Sequence, residues 1–105
     1  MLAAVCVATH LAATNTSPAQ DAATIKRGKE IFTTIAQPAC SLCHTLADAG
    51  STAEIGVNLD ERKPTEERVQ AAVRGGVGIM PAYGGTLSDE EIEAVARYVA
   101  SAASK

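Results

Sequence analysis

Cys40-Ser41-Leu42-Cys43-His44 gathers two thiols and an imidazole within five residues. Two thiols at this spacing can each add to a vinyl group on neighbouring sides of a porphyrin. One turn of chain then carries two thioethers, and the histidine directly after Cys43 can bind the iron as proximal ligand. Cys-x-x-Cys-His is the run used for covalent haem attachment. Two other chemistries use a Cys-x-x-Cys pair. A thioredoxin-like dithiol sits in a βαβ context, and no strand pattern flanks this run. A structural zinc site needs four ligands. Beyond residue 19 the only cysteines are Cys40 and Cys43, the only histidine is His44 and the only methionine is Met80. Closing a zinc site would therefore require carboxylates.

The chain that must position these groups is short. It has 105 residues, 47% hydrophobic and 20% charged, with a formal net charge of −3. That balance argues against disorder, and an acidic chain without a basic cluster argues against nucleic acid as a partner. Alanine accounts for 21 of the hydrophobic residues, and beyond residue 19 only 20 large apolar side chains remain. A chain this size buries a modest fraction of its surface and needs a disulfide set, a metal or a large bound cofactor.

Residues 1–19 read as an export signal and residues 20–105 as one domain. Leu2 to Ala13 are mostly small and apolar, too short a run to span a bilayer. Ser17-Pro18-Ala19 fits a small-x-small cleavage site before Gln20. The positive start of such a signal is missing, which suggests a true start upstream of Met1. The alternative is an ordinary Ala-rich helix. Export implies a periplasmic location, no stable membrane insertion and the discarding of Cys6.

Within the domain, a first helix is predicted from Asp21, as its cap, to Ala36. Ile25, Gly28, Phe32, Ile35 and Ala36 share one face, and Pro38 ends the segment. Gly28 in a helix interior costs about 1 kcal/mol relative to Ala, which close approach of a second helix would offset. Residues 45–64 read as loop, punctuated by Gly50, Gly56, Asn58 and Pro64. A middle helix starts at Thr65, has Val69, Ala72 and Val73 on its apolar face, and stops at Gly75-Gly76. A Gly-rich loop then presents Met80. Ser88-Asp89-Glu90-Glu91 is a capping box opening a last helix with Ile92, Val95, Ala96 and Val99 buried, and Ala94 and Tyr98 alongside.

Taken in order, these residues resemble the small class I c-type cytochromes over about residues 22–102. Gly28 and Phe32 match the first-helix pair, Tyr98 the aromatic of the crossing last helix, and Gly56-Val57-Asn58-Leu59 the Gly-x-x-Leu loop. Met80-Pro81 match the turn that holds the sixth ligand. The resemblance implies an all-α fold of three main helices and loops around one covalent haem c. It implies Cys40 and Cys43 as thioether residues and His44 and Met80 as axial ligands. A lone Met is more often core filler, but no second histidine competes here. Where the family often has Pro, this chain has Val57, whose backbone carbonyl can still accept from the His44 ring. The spacing of seven residues between Phe32 and Cys40 is longer than usual, an extension for Pro38 and Ala39 to shape. Leu42, Leu46, Val57, Leu59, Val73, Val77, Ile79 and Leu87 are expected around the haem. Arg74 and Tyr83 are expected either at its propionates or at the surface.

The function implied is one-electron transfer, without catalysis by this chain alone. Asn58-Leu59-Asp60-Glu61-Arg62 and residues 75–83 look like the haem subunit of bacterial sulfite dehydrogenases. That likeness implies a molybdenum-cofactor subunit as heterodimer partner, and a further cytochrome c or an oxidase as acceptor. A free periplasmic shuttle is the alternative. A peroxidase or gas sensor with an open iron site is a third reading, but a distal acid–base histidine is missing. The chain has four lysines, at 26, 29, 63 and 105, so a lysine-ringed haem edge is not expected. Asp89, Glu90, Glu91 and Glu93 make the start of the last helix acidic, as a docking face or as a solvated helix end.

Overall fold

The computed structural model describes residues 2–9 and 17–105. Residues 2–9 form no helix or strand and are exposed, and His10 and the polar stretch 14–16 of the expected leader lie outside the described residues. Three main helices form the body: α1 (Pro18–Glu30), α3 (Glu66–Gly75) and α4 (Asp89–Ala103), with one short helix, α2 (Leu59–Arg62). Helix α4 packs against both α1 and α3.

Helix α1 starts three residues before the expected Asp21. Ser17 caps it by accepting from Gln20 N–H, Gln20 reaches back to the Ser17 N–H, and Pro18 stands at the first position. Ser-Pro-x-Gln is thus a capping box with a preset φ at its start. The expected cut after Ala19 falls inside this first turn. Asp21 is free for another role, and its carboxylate meets Arg97 at 3.1 Å.

A single π turn, Ile31–Ile35, continues α1. Its wider i→i+5 winding rotates the helix face. Ile31 and Phe32 are therefore both buried, while Ile25 and Ile35 are only partly so. At the crossing, a Cβ on Gly28 would stand 2.5 Å from Tyr98 Cβ and closer still to the Ala94 carbonyl oxygen. Only glycine permits the approach. Phe32 and Tyr98 then meet edge-to-face, with centroids 5.9 Å apart, a preferred aromatic geometry.

Residues 45–64 carry more structure than expected. Thr45–Leu46 (β1) pairs antiparallel with Ser51–Thr52 (β2), through Thr45↔Thr52 and Leu46↔Ser51. Gly50 makes the left-handed turn between them, with φ +68°. Two-residue strands carry no readable alternation, so the pattern is invisible at the sequence level. Asn58 caps α2 through Glu61 N–H. Thr65 caps α3, and the Ser88–Glu91 capping box opens α4.

Helix α4 buries Ile92, Ala94, Val95, Ala96, Tyr98, Val99, Ala102 and Ala103, a wide face because it has neighbours on two sides. Its acidic start is largely engaged within the chain. Asp89 pairs with Arg74, Glu91 with Arg27, and Glu93 with Arg97. The Ser88 backbone N–H, with Arg27 contributing, holds the Glu91 carboxyl below its ordinary range. None of the described helices is long and apolar enough to cross a membrane.

Candidate functional site

The small core closes around a cavity of about 660 Å³ instead of filling the centre. That lies within the usual range for cofactor sites. Three stretches of chain bring chemistry to its wall.

The first is the Cys40–His44 run. Residues Cys40–Leu42 form a single 3₁₀ turn, and Cys43 N–H and His44 N–H both donate to the Cys40 carbonyl, at 3.2 and 3.0 Å. Cys40, Cys43 and His44 all reach the wall. Gly56 N–H donates to the Cys43 carbonyl at 2.6 Å, closing the loop from below. The His44 ring packs against Gly56, where a Cβ would stand 2.6 Å from His44 Cε1. His44 Nδ1 lies 2.7 Å from the Val57 carbonyl. A carbonyl only accepts, so Nδ1 carries a hydrogen, which in the neutral ring leaves the lone pair on Nε2. The acceptor is backbone, so valine supplies it here.

The second is the loop after α3. Tyr83 N–H donates to the Val73 carbonyl at 2.7 Å, and Gly84 N–H to that of Arg74 at 3.2 Å, tying the loop to the helix end. Between these anchors Val77 and Met80 exchange backbone hydrogen bonds, 2.9 and 3.2 Å. Met80 is thereby carried to the same cavity as His44. Tyr83 OH donates to the Pro38 carbonyl at 2.6 Å, joining this loop to the extension before Cys40, whose Gln37–Pro38 bond is cis. Burial, helped by the adjacent Cys40 and Cys43, pushes the Tyr83 hydroxyl up to about 12.

The third is the α2–α3 corner, where Leu59, Arg62, Pro64, Arg68 and Val69 face the cavity. The Arg62 and Arg68 guanidinium groups have no ion pair among the described residues. Sequence reasoning missed both, because two arginines six residues apart, across a helix break, carry no motif. It also missed Ile55, and it placed Phe32, Val95 and Val99 in helix packing alone. They serve the cavity as well.

Of the expected pocket residues, Val57, Leu59, Val73, Val77, Ile79 and Tyr83 line the wall. Leu42, Leu46, Leu87 and Arg74 do not. Leu42 turns outward at 61% exposure, while Leu46 and Leu87 are packed in the helical core. Arg74 reaches Asp89 at 2.5 Å, off the cavity wall.

The site suits a porphyrin better than the other Cys-x-x-Cys chemistries. Burial pushes the Cys40 thiol up to about 11, whereas a redox-active dithiol works through a lowered thiol pKa. Among the described residues no group of three or more His, Cys, Asp or Glu side chains converges as a metal site would require. An apolar cavity with two thiols, a ligand-ready imidazole, a thioether and two unpaired guanidinium groups matches the vinyls, iron and carboxylates of haem.

Fold and site together define a class I c-type cytochrome. The profile described as "Cytochrome C oxidase, cbb3-type, subunit III" matches residues 23–99, and the chain belongs to that family. It is 39% identical over 70 residues to cytochrome c6 of Microcystis aeruginosa, covering 63% of this chain and 86% of that one. Cytochrome c6 of Leptolyngbya boryana is 36% identical over 70 residues, with 63% and 82% covered. Among solved structures it is similar to the c-type cytochrome SorU from Sinorhizobium meliloti. The identity is 54% and the TM-score 0.77, covering 80% of this chain and 95% of that one. The protein is an electron-transfer cytochrome that carries covalent haem c.

Proposed function

We propose that Cys40 and Cys43 hold the haem through two thioethers and that His44 and Met80 are its axial ligands. The observation that carries this reading is the His44 ring, fixed by Val57 with Nε2 free, on the wall of a cavity that Met80 also lines. When bound, the haem supplies a one-electron couple. The chain's own part is to keep both ligands in place, so that little moves on electron transfer, and to exclude water. An apolar pocket and thioether ligation raise the potential relative to two histidines. Arg62 and Arg68, in place of Arg74, are the cationic partners for the propionates. Pyridine-haemochrome spectra of the purified protein test the attachment. Cys43→Ser should leave one thioether, and Met80→Ala should open a coordination position to added imidazole. A wild-type protein without covalent haem would overturn the reading.

We infer further that this cytochrome is the electron-accepting subunit of a periplasmic sulfite dehydrogenase, exported by the segment 1–19. The support is the likeness of residues 58–62 and 75–83 to such subunits, and the 54% identity to a c-type cytochrome, SorU. Sulfite oxidation releases two electrons, which a single-haem chain takes one at a time and passes to another cytochrome c or an oxidase. Purification of the native assembly, with its mass, metals and haem spectrum, is the test. A larger molybdenum-containing chain whose sulfite turnover reduces this haem supports the reading. A lone cytochrome that sulfite and that chain do not reduce makes it a free shuttle.

A further inference from the structure

Apart from the tyrosines, Ser51 is the one buried polar side chain among the described residues, 6% exposed. Its hydroxyl lies 2.8 Å from the Ser41 carbonyl and 2.5 Å from the His44 carbonyl. The turn hydrogen bonds of the Cys40–His44 run go to other carbonyls, those of Ala39, Cys40 and Cys43. Ser41 sits between the two cysteines, and His44 is the residue whose ring faces the cavity. One hydroxyl proton is therefore shared between a carbonyl inside the attachment run and the one at its end. Ser51 is itself fixed. It pairs with Leu46 in the β1–β2 ladder, and the left-handed Gly50 turn folds it back beneath the run.

We propose that Ser51 is a positioning residue for the haem, acting through the His44 backbone. The inference rests on the proposed ligation by His44. The ring is held at its far side by Val57 and its main chain at the near side by Ser51, so its orientation is set from both ends. The shared proton also faces the negative ends of two carbonyl dipoles close to the attachment run. Donated to both carbonyls, the hydroxyl turns its positive proton end toward the run that carries His44, and in an apolar interior a dipole so turned favours the reduced, less positive iron.

The experiment compares holoprotein of wild type, Ser51→Ala and Ser51→Thr in redox titrations with thermal melts alongside. At a solution potential that half-reduces the wild type, Ser51→Ala should raise the oxidised-to-reduced ratio by roughly two- to fivefold, since part of an ordinary hydrogen bond depends on the iron's charge. Ser51→Thr keeps the hydroxyl and should keep the ratio, even if its melting temperature falls. A purely structural role would lower the melting temperatures and leave both ratios unchanged, which overturns the proposal. If Ser51→Ala does not mature, redox-difference infrared spectra of wild-type protein with ¹³C-carbonyl histidine decide it. The His44 carbonyl band should move on reduction, and a band that stays put refutes the idea. Wild type lacking covalent haem would instead overturn the ligation reading, a distinct result.

Discussion

Replacing Gly28 by alanine should destabilise the protein although it removes a glycine from a helix. Propensity alone favours alanine by about 1 kcal/mol. The added Cβ would stand 2.5 Å from Tyr98 Cβ and 2.8 Å from the Ala94 carbonyl carbon. These atoms are the backbone and side-chain root of α4, with no flexible tip to swing aside. Relief requires α1 and α4 to part, and a gap of about 0.5–1 Å forfeits a quarter to a half of each dispersion contact. The Phe32–Tyr98 pair, each ring 1% exposed, lies at the same crossing. Overpacking costs about 1–3 kcal/mol, and an obstacle made of α4 backbone and the root of a buried side chain puts this case near 3. The net loss is then about 2 kcal/mol, or roughly 8–16 °C in melting temperature for a domain of this size. Far-UV circular dichroism of the holoprotein reads it directly. Gly75→Ala is the control, because a Cβ there meets nothing within 4 Å. A Gly28→Ala protein melting at or above wild type would refute the close-approach argument.

Three other outcomes are expected. Gly56→Ala drives a methyl into the His44 ring, so it should perturb axial ligation or lower covalent haem content in absorption spectra, an effect absent from Gly85→Ala, whose site is open. Asp48 accepts from Tyr98 OH at 2.7 Å and pairs with Lys105 and Lys29; the Tyr98 bond first, then Lys105 and Lys29, hold its carboxyl below the ordinary 3.8. Its folded value is the lower one, so its contribution is present above that ordinary value and lost as pH falls through the folded value. Melting temperatures should drop in that acid window for wild type, and Asp48→Asn should flatten the drop. Arg97 bridges Asp21 on α1, Glu66 on α3 and Glu93 on its own helix; Arg97→Gln leaves three carboxylates together and should cost about 1 kcal/mol at low salt, with the deficit in denaturant titrations shrinking as salt screens them.

What was legible beforehand follows the range of each interaction. Cys40-Ser41-Leu42-Cys43-His44 carries its chemistry in covalent spacing, and the Ser88–Glu91 box and the Gly75-Gly76 stop act within one turn. Such features need no partner elsewhere in the chain, so the sequence displays them. The start of α1 shows the limit even of local signals, because Ser17-Pro18-Ala19-Gln20 fits a cleavage site and a capping box alike.

The sequence by itself therefore determined the attachment chemistry, the helix pattern of the domain and the need for a large group to complete a thin core. Tertiary structure alone decided which residues surround that group. It turned Leu42 outward, paired Arg74 with Asp89, placed Arg62 and Arg68 on the cavity wall, and set Ser51 under His44. These outcomes depend on helix crossings, on the 3₁₀ turn at Cys40–Leu42 and on the short β1–β2 ladder with its Gly50 turn. A change of that kind moves side chains by whole positions while leaving residue type and spacing the same.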